Sequence, residues 1–180
     1  VIQKAKNFQL PVDIMLELFD NLVIPILTYG AEVWGFSDLI VLERLHLKFL
    51  KMILHVKSTT PSCMVYGEFG AFPIHVVIYS KMLGFWSKVS NSRNDNKISV
   101  IMFRLLKTLD AKGIYSSPWI TKVKDILNSL GMSNLWLSNN FNLKWFKAAV
   151  LLRLKDQYCQ KWSSDVNSLA ICTSYRLFKH

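Results

Sequence analysis

Proline sets the outline of this chain. Pro11, Pro73 and Pro118 each stand where a first helical turn tolerates a residue without a backbone N–H, and apolar residues then recur every three or four positions. No stretch alternates apolar and polar residues between hairpin turns, so sheet is not expected. The spacing predicts an all-α fold, an irregular multi-helix bundle of about six helices. The first begins at Pro11, carries Ile14, Leu18, Leu22 and Ile26 on its apolar face, and must kink or restart at Pro25. The second starts from Asp38 as N-cap and runs to His55, the third covers 73–89, and the fourth covers 98–111 and stops at Gly113. The fifth runs from Pro118 to Gly131, and the sixth, 143–162, places Leu143, Phe146, Val150, Leu154 and Tyr158 on one face. "KSTTPS" (57–62) reads as a loop. "NSRNDN" (91–96) reads as a surface linker that divides residues 1–90 from 97–180.

Hydrophobic residues make up 51% of the 180, enough for one well-buried core. The charge-free apolar runs 21–31 and 69–80 are too short to span a bilayer as helices, and the N-terminus lacks the form of a signal peptide. A soluble, intracellular protein is expected, with no membrane partner. Cys63, Cys159 and Cys172 are widely spaced and odd in number, which argues against a disulfide framework or a structural metal and for reduced, buried thiols. The net charge of +10 is uneven: residues 1–43 hold two basic and six acidic side chains, whereas the rest holds 20 basic and six acidic, a balance of +14. That asymmetry suits a polyanionic partner, although lysine-rich solvated helix faces would produce the same count.

No Gly-rich phosphate loop, HExxH or GxSxG occurs, and no pair of carboxylates is spaced for metal-dependent phosphoryl transfer or glycoside cleavage. The chain by itself reads as non-catalytic. Its sharpest feature lies on the second helix, where Arg44, Lys48, Lys51 and His55 follow at spacings of four, three and four and form one basic strip. Leu42, Leu45, Phe49 and Ile53 are expected on the opposite side. Lys57, in the next loop, extends the strip. Two readings fit it: a row of contacts to successive phosphates, or a solvated ridge whose lysine stems cover leucines. Lys122, Lys124, Lys144, Lys147 and Lys155 add basic character near Trp119, Trp136, Trp145 and Trp162, most of which have core spacing. "TYGAEVWG" (28–35) reads as a packing corner. There Glu32 is expected to cap backbone amides, and Gly30 and Gly35 permit close approach or positive φ.

The run "LPVDIMLELFDNLVIPILTYGAEVWGFSDLIVLERLHLKFLKMIL", continued by "STTPSCMVYGEFGAFPIHVVIYSKMLGFW", resembles the segment after the polymerase core in reverse transcriptases of non-LTR (LINE-type) retrotransposons. "SLGMSNLW", "LKDQYCQKW" and "SYRLFK" resemble the family's downstream region in the same order. The resemblance implies a helical thumb over 1–90 and a post-thumb region over 97–180. The thumb would grip the RNA/DNA template–primer duplex through its backbone, with Arg44, Lys48 and Lys51 on the thumb-like helix. It also implies that the catalytic aspartates and their Mg²⁺ belong to an upstream palm, so that no cofactor is held here. The chain, starting at Val1, is then expected to be a fragment or the translated remnant of an element, nuclear if that element is active. The rival expectations are a helical interaction or structural module without nucleic-acid function, which predicts exposed apolar patches, and a peripheral membrane-surface protein.

Overall fold

The computed structural model describes residues 10–94, 96–138 and 141–178. Among them there is no strand, and nine helices pack as an irregular bundle, so the all-α expectation holds. Helix α1 is built of three consecutive pieces, the α-helical Val12–Leu18 and Ile24–Leu27 joined by the π-helical turn Phe19–Val23. There follow α2 (Ala31–Trp34), α3 (Ile40–Ile53), α4 (Ser62–Phe69), α5 (Ile74–Ser90), α6 (Ile98–Ala111) and α7 (Pro118–Ser129). A 3₁₀ turn, Ser133–Trp136, leads to the long α8 (Leu143–Ser168), and a second, Ala170–Cys172, leads to α9 (Thr173–Phe178). The short helices α2, α4 and α9 were not legible in the spacing.

Helix α5 is the axis of the bundle and packs most extensively on α8 and α2. From α5, Met82, Leu83, Trp86 and Val89 join Phe103 of α6, Val123 and Leu127 of α7, and Phe146, Val150 and Leu154 of α8 in one buried cluster. Burying each such side chain stabilises the fold by about 1.5–3 kcal/mol before entropy is counted. The indole of Trp86 is stacked on Trp136 and Phe141 at centroid distances of 6.0 and 5.6 Å. The face expected on the last helix is the one buried. Phe146, Val150 and Leu154 lie inside, and Trp162 and Val166 continue the same spacing toward the C-terminus. Two caps fix the starts of α7 and α8: Ser117 Oγ accepts from Ile120 N, and Asn142 Oδ1 accepts from Lys144 N and Trp145 N.

Helix α1 corrects the expected apolar face. Leu22 and Ile26 are 47% and 76% exposed, and Ile14 is exposed too, while Met15, Leu16, Phe19, Val23, Ile24 and Leu27 turn inward. The cause is Pro25. It cannot donate to a residue one turn back, and the chain opens into a π turn before restarting with Pro25 in the first turn of the Ile24–Leu27 piece. Each π turn holds more residues than an α turn, so a stripe of constant helical period cannot continue through it.

The "TYGAEVWG" corner is a packing device. Gly30, at φ +66°, turns the chain out of α1, and Lys81 of α5 donates to Thr28 O and Thr28 Oγ1 at 3.1 and 2.7 Å. Gly35 lies against α5: a Cβ there would stand 2.6 Å from Ala31 O and 2.8 Å from Ile78 Cγ2. The expected capping role of Glu32 is not found. The residue before α2 is Gly30, without a side-chain cap, and it is the Glu32 carbonyl that accepts, from Trp119 Nε1 at 2.8 Å.

A second joint closes the molecule. Cys63 of α4, Val166 of α8 and Cys172 form a buried cluster with Trp162 and Tyr175 packed around it. Trp162 Nε1 donates to Cys63 O at 2.7 Å, and Tyr175 Oη donates to Met64 O at 3.4 Å. The Cys63 and Cys172 thiols are in hydrogen-bond contact at 3.7 Å with no disulfide between them, whereas Cys159, expected to be buried, is exposed on α8.

Candidate nucleic-acid interface

Helix α3 buries His46, Phe49, Leu50 and Ile53 against α1, α4 and α5. The buried arc is therefore centred one residue away from the expected one. Leu45 is 38% exposed, and His46 takes the inward place, stacked on Phe19 at 5.5 Å and edge-on to Tyr66 at 5.6 Å. The i, i+3, i+4, i+7 series 46, 49, 50, 53 carried that signal, but a histidine in it reads as polar.

The basic strip is shorter than its spacing promised. Arg44 and Lys48 are exposed, one turn apart on the outer side of α3. Lys51 is half-buried, and its Nζ donates to Ser58 O at 2.6 Å, tying the following loop to the helix. His55 lies beyond the end of α3 at φ 54°, so the helical register that aligned it with Lys51 has ended. Lys57 is exposed in that loop. The structure thus brings together Arg44 and Lys48, with Lys51 behind them, and takes His55 out of line. Among the described residues none of the five forms an ion pair.

What holds α3 rigid is Glu43, which sequence reasoning missed. Its Oε1 accepts from His75 N at 2.9 Å and lies 2.7 Å from His75 Nδ1; its Oε2 accepts from Ile74 N at 3.2 Å and Tyr66 Oη at 3.1 Å. Pro73, at the N-cap of α5, offers no side-chain cap, so a carboxylate from another helix satisfies the first amides and faces the positive end of the helix dipole. Burial drives the Glu43 carboxyl upward, but the hydrogen bonds from His75 and Ile74 outweigh it and leave its pKa below the ordinary value. Burial, and then the Glu43 charge, push the Tyr66 phenol up. His46 is held low by burial, against the pull of Glu43 and Asp20, and its Nδ1 has no partner.

Much of the remaining basic excess works inside the fold. Lys124 pairs with Asp110, and its Nζ sits 5.2 Å from the Trp136 ring centre. Lys122 lies over Tyr79 at 4.9 Å and Lys155 over Phe72 at 4.8 Å. Lys144 and Lys147 are exposed, as is Trp145. Trp119 and Trp162 serve as anchors through their Nε1 bonds.

No protein-family model, curated protein or solved structure matches the chain. Among the described residues no group of three or more His, Cys, Asp or Glu side chains is placed to hold a metal ion, and no helix is long and apolar enough to cross a membrane.

Proposed function

We propose that the chain is a thumb and post-thumb region of a LINE-type reverse transcriptase, gripping an RNA/DNA template–primer duplex through its phosphates while an upstream palm performs the chemistry. The observation that carries this reading is the outward pair Arg44 and Lys48, without ion-pair partners, on a helix braced to α5 by Glu43. Cations one helical turn apart on a braced helix suit sequence-independent backbone contact, because they read charge and spacing and not base edges. The resemblance of residues 10–54, 58–86 and the downstream motifs supplies the family.

The exposed apolar surface of the N-terminal third supports the palm as a partner. Ile26, Tyr29, Val33 and Val41 are 64–85% exposed on and around α1–α3. The same surface is what an interaction module without nucleic-acid function would present, and this is the second reading. Catalytic Mg²⁺ belongs, under the first reading, to the palm, and the nucleus is where the element's template would be met.

The test is fluorescence anisotropy of a labelled RNA–DNA hybrid across a salt series. Wild-type affinity falls steeply with salt, and Arg44→Glu with Lys48→Glu abolishes most of the binding. A flat salt response, or binding unaffected by the double variant, refutes the duplex reading and leaves the interaction module.

A further inference from the structure

The joint between α4 and the C-terminal segment holds two thiols that the duplex reading leaves unused. Cys63 lies in the first turn of α4, and Cys172 ends the 3₁₀ turn before α9, 109 positions away in sequence. Both side chains are buried, in a cluster with Val166 and with Trp162 and Tyr175 packed around it. Their sulfurs meet at 3.7 Å, which leaves about 1.7 Å to close for a disulfide bond of about 2.05 Å.

Neighbouring contacts hold the two sulfurs together. Gly67, one turn beyond Cys63 on α4, has no room for a side chain: a Cβ there would stand 2.5 Å from Tyr175 Oη and 3.0 Å from Trp162 Cζ2. Trp162 Nε1 donates to Cys63 O at 2.7 Å, which ties α8 to α4 beside the pair. The C-terminal side is docked more lightly. Helix α9 buries none of its six residues, and Leu177 and Phe178 are exposed. Its bonds to the body include a long one, Tyr175 Oη to Met64 O at 3.4 Å, and one at its last turn, Arg176 Nη1 to Asn167 O at 3.0 Å. A terminal segment held in this way opens locally at far lower cost than the bundle core.

We propose that Cys63 and Cys172 are an oxidative crosslinking site, at which a peroxide joins the two sulfurs and fastens the C-terminal segment to α4. While the joint is shut, burial and then the Cys172 thiol push Cys63 up to about 11, so the docked pair reacts poorly and oxidation waits for opening. When α9 lifts, Cys172 sheds its proton and its sulfur attacks one oxygen of hydrogen peroxide. The O–O bond breaks, a sulfenic acid forms, and the other oxygen leaves as hydroxide, which takes up the proton to give water. On redocking, the Cys63 sulfur attacks the sulfenic sulfur; the S–O bond breaks, and the hydroxide leaves with the Cys63 proton as a second water. Two thiols lose two electrons, and one peroxide becomes two waters. Because α4 also carries Tyr66, whose hydroxyl donates to Glu43, the crosslink anchors a helix that helps brace α3. The site does not depend on the duplex reading.

The experiment uses the full chain carrying Cys159→Ser, which removes the exposed thiol and with it crosslinks between molecules. The reduced protein is freed of reductant, treated with hydrogen peroxide, unfolded and alkylated, and its intact mass is measured. The expected product is a monomer two hydrogens lighter that takes up no alkyl group and is restored by dithiothreitol. Its digest should yield one peptide pair linking residues 63 and 172. Closing a loop of that span should raise Tm by about 4–16 °C. Cys172→Ser in the same background should show neither the mass loss nor the Tm shift; if that variant fails to fold, the mass of the parent decides alone. Two thiols still open to alkylation after peroxide overturn the site, as does oxygen added at Cys172 without a crosslink. A crosslink that leaves Tm unchanged or lower also overturns it, because the bond would then be distorting the joint.

Discussion

Gly35→Ala should destabilise the protein, although nothing in the local backbone forbids alanine there. Gly35 sits at φ −62°, ψ −2°, a conformation any residue adopts. On backbone grounds alone the replacement would stabilise by about 0.4–1 kcal/mol, because alanine restricts the unfolded chain. Packing reverses the sign. The new methyl would stand 2.6 Å from Ala31 O, 2.8 Å from Ile78 Cγ2 and 3.4 Å from Met82 Sδ. The first of these is backbone and cannot rotate aside; the second belongs to a fully buried side chain on α5. Overpacking of this kind costs about 1–3 kcal/mol. Net of the backbone gain, a loss of about 1–2 kcal/mol corresponds to a Tm lower by about 2–8 °C for a chain of this size. The internal control is Gly84→Ala, within α5, where an added Cβ meets only Lys147 Cε at 4.0 Å. There the propensity gain of up to about 1 kcal/mol should appear undiminished. Thermal melts followed at the helical circular dichroism band measure both. A Tm for Gly35→Ala equal to or above wild type would refute the claim that α2 and α5 are pressed together at this residue.

Three further outcomes follow from the same interior. His46, whose ordinary pKa is 6.5, is depressed by burial, so unfolding takes up a proton and stability should decline as pH drops below about 6.5. His46→Phe should flatten the urea midpoint between about pH 5 and 7, and an unaltered slope would count against a buried neutral ring. Glu43→Gln should lower the unfolding free energy at neutral pH by about 1–3 kcal/mol, since one charged acceptor serves two α5 amides and the Tyr66 hydroxyl. Its pKa is lowered in the fold, so this contribution is present above 4.5 and fades as acid passes the folded value; equal acid sensitivity of the variant would contradict it. Thiol titration of the native protein should find Cys159 reactive and Cys63 and Cys172 protected, with all three reacting in denaturant. Burial and the neighbouring Cys172 push the Cys63 thiol up to about 11, so rapid native labelling at that position would show the C-terminal joint to be open.

The legible part of the fold was the part governed by local rules. The start of α7 at Pro118 and the buried face of α8 depend only on a first-turn proline and on spacing along one helix, whereas the Ser117 and Asn142 caps were not read. Asp38, expected as the N-cap of α3, stands one residue before the N-cap Leu39, and its Oδ1 still accepts from Ile40 N at 2.9 Å. The inner face of α1 was not legible, because a proline-induced π turn changes the period in mid-helix. Helix α4 was hidden because its eight residues are apolar nearly all round and contain Gly67, so no face stands out. At the interface, Arg44 and Lys48 were placed by counting along the helix, and counting fails where the helix stops, which is why His55 falls away. Glu43 could not be found from its neighbours, since the amides it serves lie 31 and 32 residues on.

The joint between α4 and the C-terminal segment bears on how the chain is made. Cys63 and Cys172 meet across 109 positions, and the α4 carbonyls of Cys63 and Met64 are claimed by Trp162 and Tyr175. During synthesis α4 has to wait, with part of its apolar surface uncovered, until residues 162–175 have left the ribosome. Contacts that bridge such long stretches form late and slowly. A nascent chain paused after α7 should therefore attract chaperones through its first half, and release from them should coincide with the arrival of α8 and α9.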